Sequence, residues 1–538
     1  MAAGPASRPS RWRRHAGPVL VFGIATLVAF LSLMLAGVNR ADEAWNLHLV
    51  DLMLRGEVLY TDIRYFPTPL ALFAGVGAAA IFGVNVVVLK ALMAVAFGVT
   101  ATANLFIARM LFAGRRARLL LLVALLLFAL PTPSSLYNTL VITFASVTAA
   151  LVLHWDEALK DLPGPEKSRR LVRLAAAVGV AAGACALTKY NIGAAAIVAT
   201  AGSMAVPLIQ RRVAFRDFAV SGLTASGACL LTVLAGLVPV LLQDAGGDFV
   251  RQLRDGPQLI DAPVPYGYFL RRLIDGVAHA STLEIRNFGS YGLVPLAGAL
   301  GLIAVVRSRS IVRGRLVMVL LFCLAAAVLA FPRADHMPWV VPLPLALLIG
   351  SASVILQPLR RVRPEAVTAL GACALGFAVT WFGLAVYLEA SAARDFEVMR
   401  TGHFQGALAP PGDWRRTTLA AEEIRRHVGP DRNVLILHLD AGFYYLAADL
   451  RNPTRYHYPD SFEFGEEGLA AVGAALRNQT IRYTCIGHDY TPELEPERVI
   501  AAVRAHSYLV AKLGVCDLWR TGPDPQRPAP MRSGSAGD

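Results

Sequence analysis

The residues best equipped for chemistry stand in polar breaks between long apolar stretches. The first break, 39–69, reads NRADEAWNLHLVDLMLRGEVLYTDIRYFPTP and carries Asp42, Glu43, Tyr60, Asp62 and Arg64. A second is Lys189, which interrupts an apolar stretch running from 174 to 206. A third is FPRADHMP, 331–338, with Arg333, Asp335 and His336, and a short Pro-bounded break at 131–139 adds Tyr137 and Asn138. A carboxylate at a water interface can take a proton from a hydroxyl that a short hydrogen bond can reach. Guanidinium grips phosphate through two parallel hydrogen bonds, and ammonium holds it as a point charge. These residue types together suit proton abstraction beside a bound phosphate.

Each residue also has a plainer reading. Asp42 precedes a helical pattern, so it can serve as an N-cap with Glu43 complementing the helix dipole. Asp62 is either a turn carboxylate or a ligand for a divalent cation such as magnesium or manganese, bridging phosphate or orienting substrate. Arg64 is a solvated or headgroup-bound arginine, or a phosphate contact. Lys189 either snorkels to the interface or binds phosphate, because an ammonium within an apolar stretch is costly. Arg333 can pair locally with Asp335; Tyr60 and Asp335 are, like Asp62, candidates to touch substrate or a metal, and Tyr137 and Asn138 are either interface residues or the lining of a substrate site.

The elements that must position these residues are membrane helices. The chain has 538 residues, 55% hydrophobic and only 17% charged, with a mean hydropathy of +0.51, which lies outside the balance of soluble proteins. A net charge of +13 does not indicate nucleic acid, since Lys and Arg fall in short runs between apolar segments, as the positive-inside rule arranges them. Five runs (115–118, 167–170, 211–216, 307–315 and 360–363) are expected in the cytoplasm. Spans are expected near 17–38, 84–112, 119–133, 140–154, 171–188, 192–210, 218–242, 291–306, 316–331, 339–356 and 366–388, eleven crossings with the N-terminus inside. Residues 1–16 form a basic cytoplasmic end, and 17–38 is read as a retained helix rather than a cleaved signal. Segment 70–83 is short for a crossing and would invert every later loop, so it is read as a juxtamembrane helix. Residues 43–54 carry Leu47, Val50 and Leu54 at helical spacing, which predicts an amphipathic helix lying on the membrane and ended by Gly56. The inner loops show no phosphate-binding glycine loop, which argues against nucleotide as the energy source.

Beyond residue 389 charge density rises. Segments 433–439 (NVLILHL) and 481–486 (IRYTCI) read as buried strands, and 413–427 and 496–510 as helices. A small extracytoplasmic α/β domain is expected over 389–522, followed by a disordered Pro/Gly/Ser-rich tail, 523–538. Cys185, Cys229, Cys323 and Cys373 fall in expected spans as packing residues, while Cys485 and Cys516 share the outer domain, where a disulfide is permitted. No Cys/His spacing indicates structural zinc.

The order apolar span, Asp42-Glu43, helix, Arg55-Gly56-x-x-Leu59-Tyr60-x-Asp62, Pro67-x-Pro69, and a short apolar segment ending Phe82-Gly83 resembles the first external loop of C-type (GT-C) glycosyltransferases. These are polytopic enzymes that take sugars from polyprenyl phosphate carriers, and the loop is most like those of bacterial relatives of protein O-mannosyltransferases and of lipid A aminoarabinose transferases. The resemblance implies a helical GT-C-like transmembrane domain over 17–388 in a bacterial plasma membrane. It further implies transfer of a hexosyl or pentosyl group, with inversion, to a glycan, lipid or protein acceptor on the outer face. Asp42 then matches the family's catalytic acid and Glu43 its neighbour, 39–83 being the loop that bears them. Lys189 matches a lysine that follows a span in relatives, and Arg333 and His336 match an Arg-x-x-His loop near the donor phosphate. A flippase for a lipid-linked glycan, or a non-catalytic envelope assembly protein, is the alternative.

Overall fold

The computed structural model describes residues 11–523 apart from 113–114, 129–134, 161–163, 260–281, 330–335, most of 359–392, 401 and 489–495. Most of the fold is helical. In chain order the helices before residue 359 are α1 (Arg11–Leu35), α2 (Asp42–Leu54), α3 (Leu70–Phe82), α4 (Val86–Leu111), α5 (Arg115–Phe128), α6 (Leu136–Ala158), α7 (Pro165–Thr188), α8 (Tyr190–Ile209), α9 (Phe215–Leu242), α10 (Gly246–Leu259), α11 (Thr282–Arg307), α12 (Ser310–Ala327), α13 (Met337–Val340) and α14 (Pro342–Ile355). Among the described residues, seven of these helices are long and apolar enough to cross a membrane: the 17–35 part of α1, then α4, α6, α7, α8, α9 and α12. The protein is therefore a multi-pass membrane protein. Helices occupy each of the first ten expected spans, the tenth interrupted between α13 and α14, and the eleventh lies mostly outside the described residues.

Small residues let these helices approach closely, since lipid supplies little hydrophobic drive for association. A Cβ on Gly179 of α7 would lie 2.1 Å from the Ala225 carbonyl of α9, and one on Gly183, a turn later, 2.8 Å from that of Cys229. Gly98 of α4 meets Thr26 of α1 in the same way, at 2.1 Å. At the end of the bundle carrying the basic runs, fully buried Asp156 of α6 accepts from Arg212 Nη2 (2.5 Å) and Arg315 Nε (2.9 Å), while Arg315 Nη1 donates to the Met110 carbonyl (3.0 Å). Arg212 and Arg315, members of the expected surface runs, thus tie α4, α6 and α12 to the α8–α9 turn.

The helix α2 departs from expectation. It does not lie exposed on a membrane surface: every residue from Glu43 to Leu52 is buried. Its apolar residues pack on the first loop and the transmembrane helices, and its polar side is covered by the C-terminal domain. That domain contains the two-residue strands β1 (Glu397–Val398) and β2 (Leu408–Ala409), paired with each other, and a mixed sheet in the order β3 (Leu435–Leu437), β4 (Tyr483–Gly487), β6 (Cys516–Thr521), β5 (Ser507–Lys512). β3 and β4 run parallel and the other pairs antiparallel. Its helices are α15 (Asp413–Val428), α16 (Ala441–Ala448), α17 (Ser461–Arg477) and α18 (Glu497–His506). The expected helix over 496–510 stops at His506, because 507–512 pairs with β6 as an edge strand. Cys485 of β4 and Cys516 of β6 form a disulfide. Docking is tight where α16 crosses α2: a Cβ on Gly442 would stand 2.7 Å from Trp45 Cα.

Candidate functional site

At the start of α2 the capping side chain is Asn39 rather than Asp42. Asn39 Oδ1 accepts from the amides of Ala41 (3.0 Å) and Asp42 (3.1 Å), satisfying the helix's first donors. The Asp42 carboxylate is thereby not needed as a cap, and Asp42 keeps partial exposure at the head of the helix. Its backbone carbonyl accepts from Asn46 Nδ2 at 2.7 Å. Residues three and four further along a helix share its face, so Asp42, Trp45 and Asn46 project together.

Glu43 faces elsewhere. It is 3% exposed and pairs with Lys90 of α4 at 2.8 Å; Lys90 Nζ also donates to the carbonyls of Leu33 (2.9 Å) and Gly37 (2.8 Å). Glu43 Oε2 accepts from the Asn39 amide. Burial pushes the Glu43 carboxyl up from its ordinary range, and the adjacent ammonium opposes that. Through Lys90, Glu43 ties the head of α2 to α1 and α4.

Three further candidates also have structural engagements. Tyr60, at φ 74°, is buried, with its hydroxyl donating to the Pro67 carbonyl (2.9 Å) and its ring edge-on to Phe249. Asp62 accepts from the Val58 amide at 2.8 Å, the turn carboxylate of the plainer reading. Arg64 is 2% exposed, pairs with Glu467 of α17 at 3.1 Å and lies over the rings of Phe66 and Tyr456. This fastens the first loop to the C-terminal domain. Among the described residues no group of three or more His, Cys, Asp or Glu side chains could hold a metal ion.

Lys189, Tyr137 and Asn138 do come together. Lys189 is extended (φ −157°, ψ 111°) between α7 and α8, so the apolar stretch is two helices broken at the lysine. Irregular backbone at such depth is tolerated where it lines a protein-walled site. Lys189 Nζ donates to Asn138 Oδ1 at 3.1 Å and sits 5.0 Å from the Tyr137 ring centre. The first loop reaches the same break, where Thr68 Oγ1 donates to the Ala186 carbonyl at 2.8 Å. Tyr137 packs against the apolar cluster that contains Tyr65 and Trp45, and the Tyr65 ring centre is 5.9 Å from that of Trp45. A continuous series of side chains therefore runs from Lys189 through Tyr137 and Tyr65 to the α2 face bearing Asp42. His336 is buried, its Nδ1 3.2 Å from the Leu329 carbonyl; Arg333 and Asp335 lie outside the described residues.

Sequence reasoning missed Lys90, Trp45 and Gln252. Lys90 interrupts an apolar span as Lys189 does, so the same criterion finds it. Gln252 of α10 bridges the first loop, donating to the Tyr60 carbonyl (2.6 Å) and accepting from the Tyr65 amide (2.9 Å); nothing local in the sequence signals that contact. His48 of α2 and His457 of the C-terminal domain, 3.1 Å apart, are likewise brought together only by the fold.

No protein-family model matches the chain, and no curated protein matches it. Solved structures do. ArnT from Cupriavidus metallidurans bound to undecaprenyl phosphate superposes with a TM-score of 0.55 at 15% identity, covering 95% of this chain and 100% of that one. The archaeal oligosaccharyltransferase AglB from Archaeoglobus fulgidus, in complex with an inhibitory peptide and a dolichol-phosphate, gives 0.53 at 12% identity, covering 89% of this chain and 70% of its own. At these identities the likeness is one of fold, and it spans the membrane helices and the small sheet domain together. The chain shares the fold of these structures, the GT-C-like fold that the first-loop resemblance implied.

Proposed function

We propose that the protein is a glycosyltransferase that moves a sugar from a polyprenyl phosphate carrier to an acceptor hydroxyl on the outer face of a bacterial plasma membrane, with inversion. The observation that carries this reading is the linked series from Lys189 at the helix break to Asp42 at the head of α2. It links a cation suited to phosphate, through Tyr137, Tyr65 and Trp45, to the helix head that carries a carboxylate suited to proton removal. The similar structures support it, since ArnT was solved with undecaprenyl phosphate and AglB with dolichol-phosphate.

In the proposed step the acceptor oxygen bonds to the anomeric carbon while the bond from that carbon to the phosphate oxygen breaks. Asp42 takes the acceptor proton, and the electron pair leaves on the carrier phosphate. Lys189, with Arg333 and His336, holds the negative charge that develops there, a form of stabilisation that is often the largest single catalytic contribution. Asn138 orients the Lys189 ammonium, and the Lys90–Glu43 clamp fixes the backbone carrying Asp42. The described residues offer no three-carboxylate or histidine set for a divalent cation, so no step here is routed through one. The C-terminal domain, docked over α2, is assigned the choice of acceptor. The proposed topology keeps the N-terminus in the cytoplasm and residues 389–522 outside.

The test is sugar transfer by the purified protein in lipid, supplied with polyprenyl phosphate sugars and cell-envelope acceptors. Asp42→Asn should lower turnover at least about 100-fold with carrier binding intact, whereas Lys189→Met should weaken carrier binding. Full turnover in a normally folded Asp42→Asn protein overturns the assignment of the base. Movement of intact carrier across the bilayer without sugar transfer would replace a transferase with a flippase.

A further inference from the structure

Four buried polar side chains in the linked series each keep one atom without a partner in the protein: Trp45 Nε1, Asn46 Oδ1, Tyr65 Oη and Asn138 Nδ2. Their residues are 7%, 2%, 1% and 1% exposed. Folded proteins rarely leave such atoms unsatisfied, and each that remains calls for a cause. Both amide orientations follow from the network: Asn46 Nδ2 donates to the Asp42 carbonyl, which leaves its oxygen over, and Asn138 Oδ1 accepts from Lys189, which leaves its NH2 over. The four residues are contiguous. Trp45 and Asn46 are neighbours on α2, Trp45 packs on Tyr65, Tyr137 packs against the cluster that holds both, and Lys189 lies over Tyr137 and bonds Asn138. Around them stand the part-exposed residues Asp42, Tyr137 and Lys189, with Tyr458 of the C-terminal domain, whose ring centre is 5.0 Å from that of Trp45.

We infer that Trp45, Asn46, Tyr65 and Asn138 form the recognition face for the glycosyl ring of the donor, and that the ring is a neutral polyhydroxylated pyranose. The inference rests on the proposed transferase reading and adds the class of sugar and the residues that select it. The unused atoms are two N–H donors, one carbonyl acceptor and one hydroxyl that does both. A phosphate would use the donors but be repelled by the Asn46 oxygen, and an acyl chain would leave all four unsatisfied. Vicinal hydroxyls alternate donor and acceptor and match the whole set. The rings of Trp45, Tyr65 and Tyr458 supply the apolar surface on which the C–H face of a pyranose packs. A sugar bound there has its anomeric phosphate directed to Lys189, the cation at the end of the same series.

Tyr65→Phe tests this cleanly, because it deletes an unpaired polar atom and keeps the ring; Trp45→Phe removes the indole N–H but also leaves a cavity, so it is read by binding alone. An atom with no partner in the unliganded protein costs stability, so Tyr65→Phe should melt at the wild-type temperature or above it. The binding experiment uses the full-length protein in nanodiscs, with bare undecaprenyl phosphate and with undecaprenyl phosphate carrying neutral hexoses or pentoses. Wild type should bind the sugar-bearing carriers more tightly than the bare one. Each variant should lose about tenfold of that preference while its affinity for the bare carrier stays unchanged. Equal loss for bare and sugar-bearing carriers, or an unchanged preference, overturns the inference. So does a drop in the melting temperature of Tyr65→Phe with preference intact, which would mean the atoms serve internal structure. Wild type that binds the bare carrier but no sugar-bearing carrier any better removes the sugar face and leaves the transferase reading standing; wild type that binds neither removes both.

Discussion

At the scale of single residues, adjacent acids in one helix do different work because a step along a helix turns a side chain by a large angle. Asp42 shares a helix face with Trp45 and Asn46, and Glu43 faces Lys90, 2.8 Å away in a site where both side chains are nearly sealed from solvent (2% and 1% exposed). Removing one partner of such a pair strands a buried charge and costs about 3–5 kcal/mol, whereas removing both is far milder. Lys90→Met should therefore lower thermal stability sharply, and Lys90→Met with Glu43→Gln should recover most of the loss; differential scanning measurements on the two variants read this directly. A double variant no more stable than the single would show that Lys90 acts through the Leu33 and Gly37 carbonyls alone. The sequence made Asp42 and Glu43 visible together as an acidic pair, and the resemblance put Asp42 first, but nothing local showed what Glu43 does instead. The residue that distinguishes them, Lys90, lies two elements away.

At the scale of elements, the helices were legible because their signal is local: length and apolar content suffice for the membrane segments, and the break at Lys189 shows as a charge within an apolar run. The environment of α2 was not legible. Its polar residues His48 and Asp51 predict a solvated face, and they are buried only because a domain some 400 residues later docks on them. That docking contains a pH-sensitive contact. His48 Nε2 and His457 Nδ1 share a hydrogen bond at 3.1 Å, and His48 stacks on Tyr445. Burial depresses both imidazoles, that of His457 to about 3, and for His48 the neighbouring His457, Arg55 and His403 act in the same direction. A histidine depressed in the folded state stays neutral while the unfolded chain protonates, so stability is full above about pH 6.5 and falls as the medium acidifies below it. At pH 5 the loss from His457 alone is about 2 kcal/mol. The melting temperature should therefore drop between pH 7 and pH 5, and His457→Phe should flatten that dependence; an equally steep profile in the variant would assign the acid sensitivity to other groups.

At the scale of the whole molecule, the membrane bundle and the C-terminal domain are held in register by the disulfide within one and the docking contacts between them. Cys485 and Cys516 join the central strands β4 and β6 and close a loop spanning a sequence separation of 31, for which cross-linking is worth on the order of 3–4 kcal/mol. Such a bond persists where the surroundings are oxidising, so its state in the cell reports which side of the membrane the domain occupies. The five basic runs argue for the outer side, and the disulfide supplies an independent readout. Alkylation of whole cells without reductant, followed by reduction and a second alkylation, should find Cys485 and Cys516 blocked at first and reactive only after reduction. Replacing both with alanine should destabilise the sheet. Because α16 grows from that domain and seats directly on Trp45 of α2, the same change should lower turnover without altering the membrane helices. Free thiols at both positions in untreated cells would contradict the outward orientation and, with it, the proposed use of a donor that has already crossed the membrane.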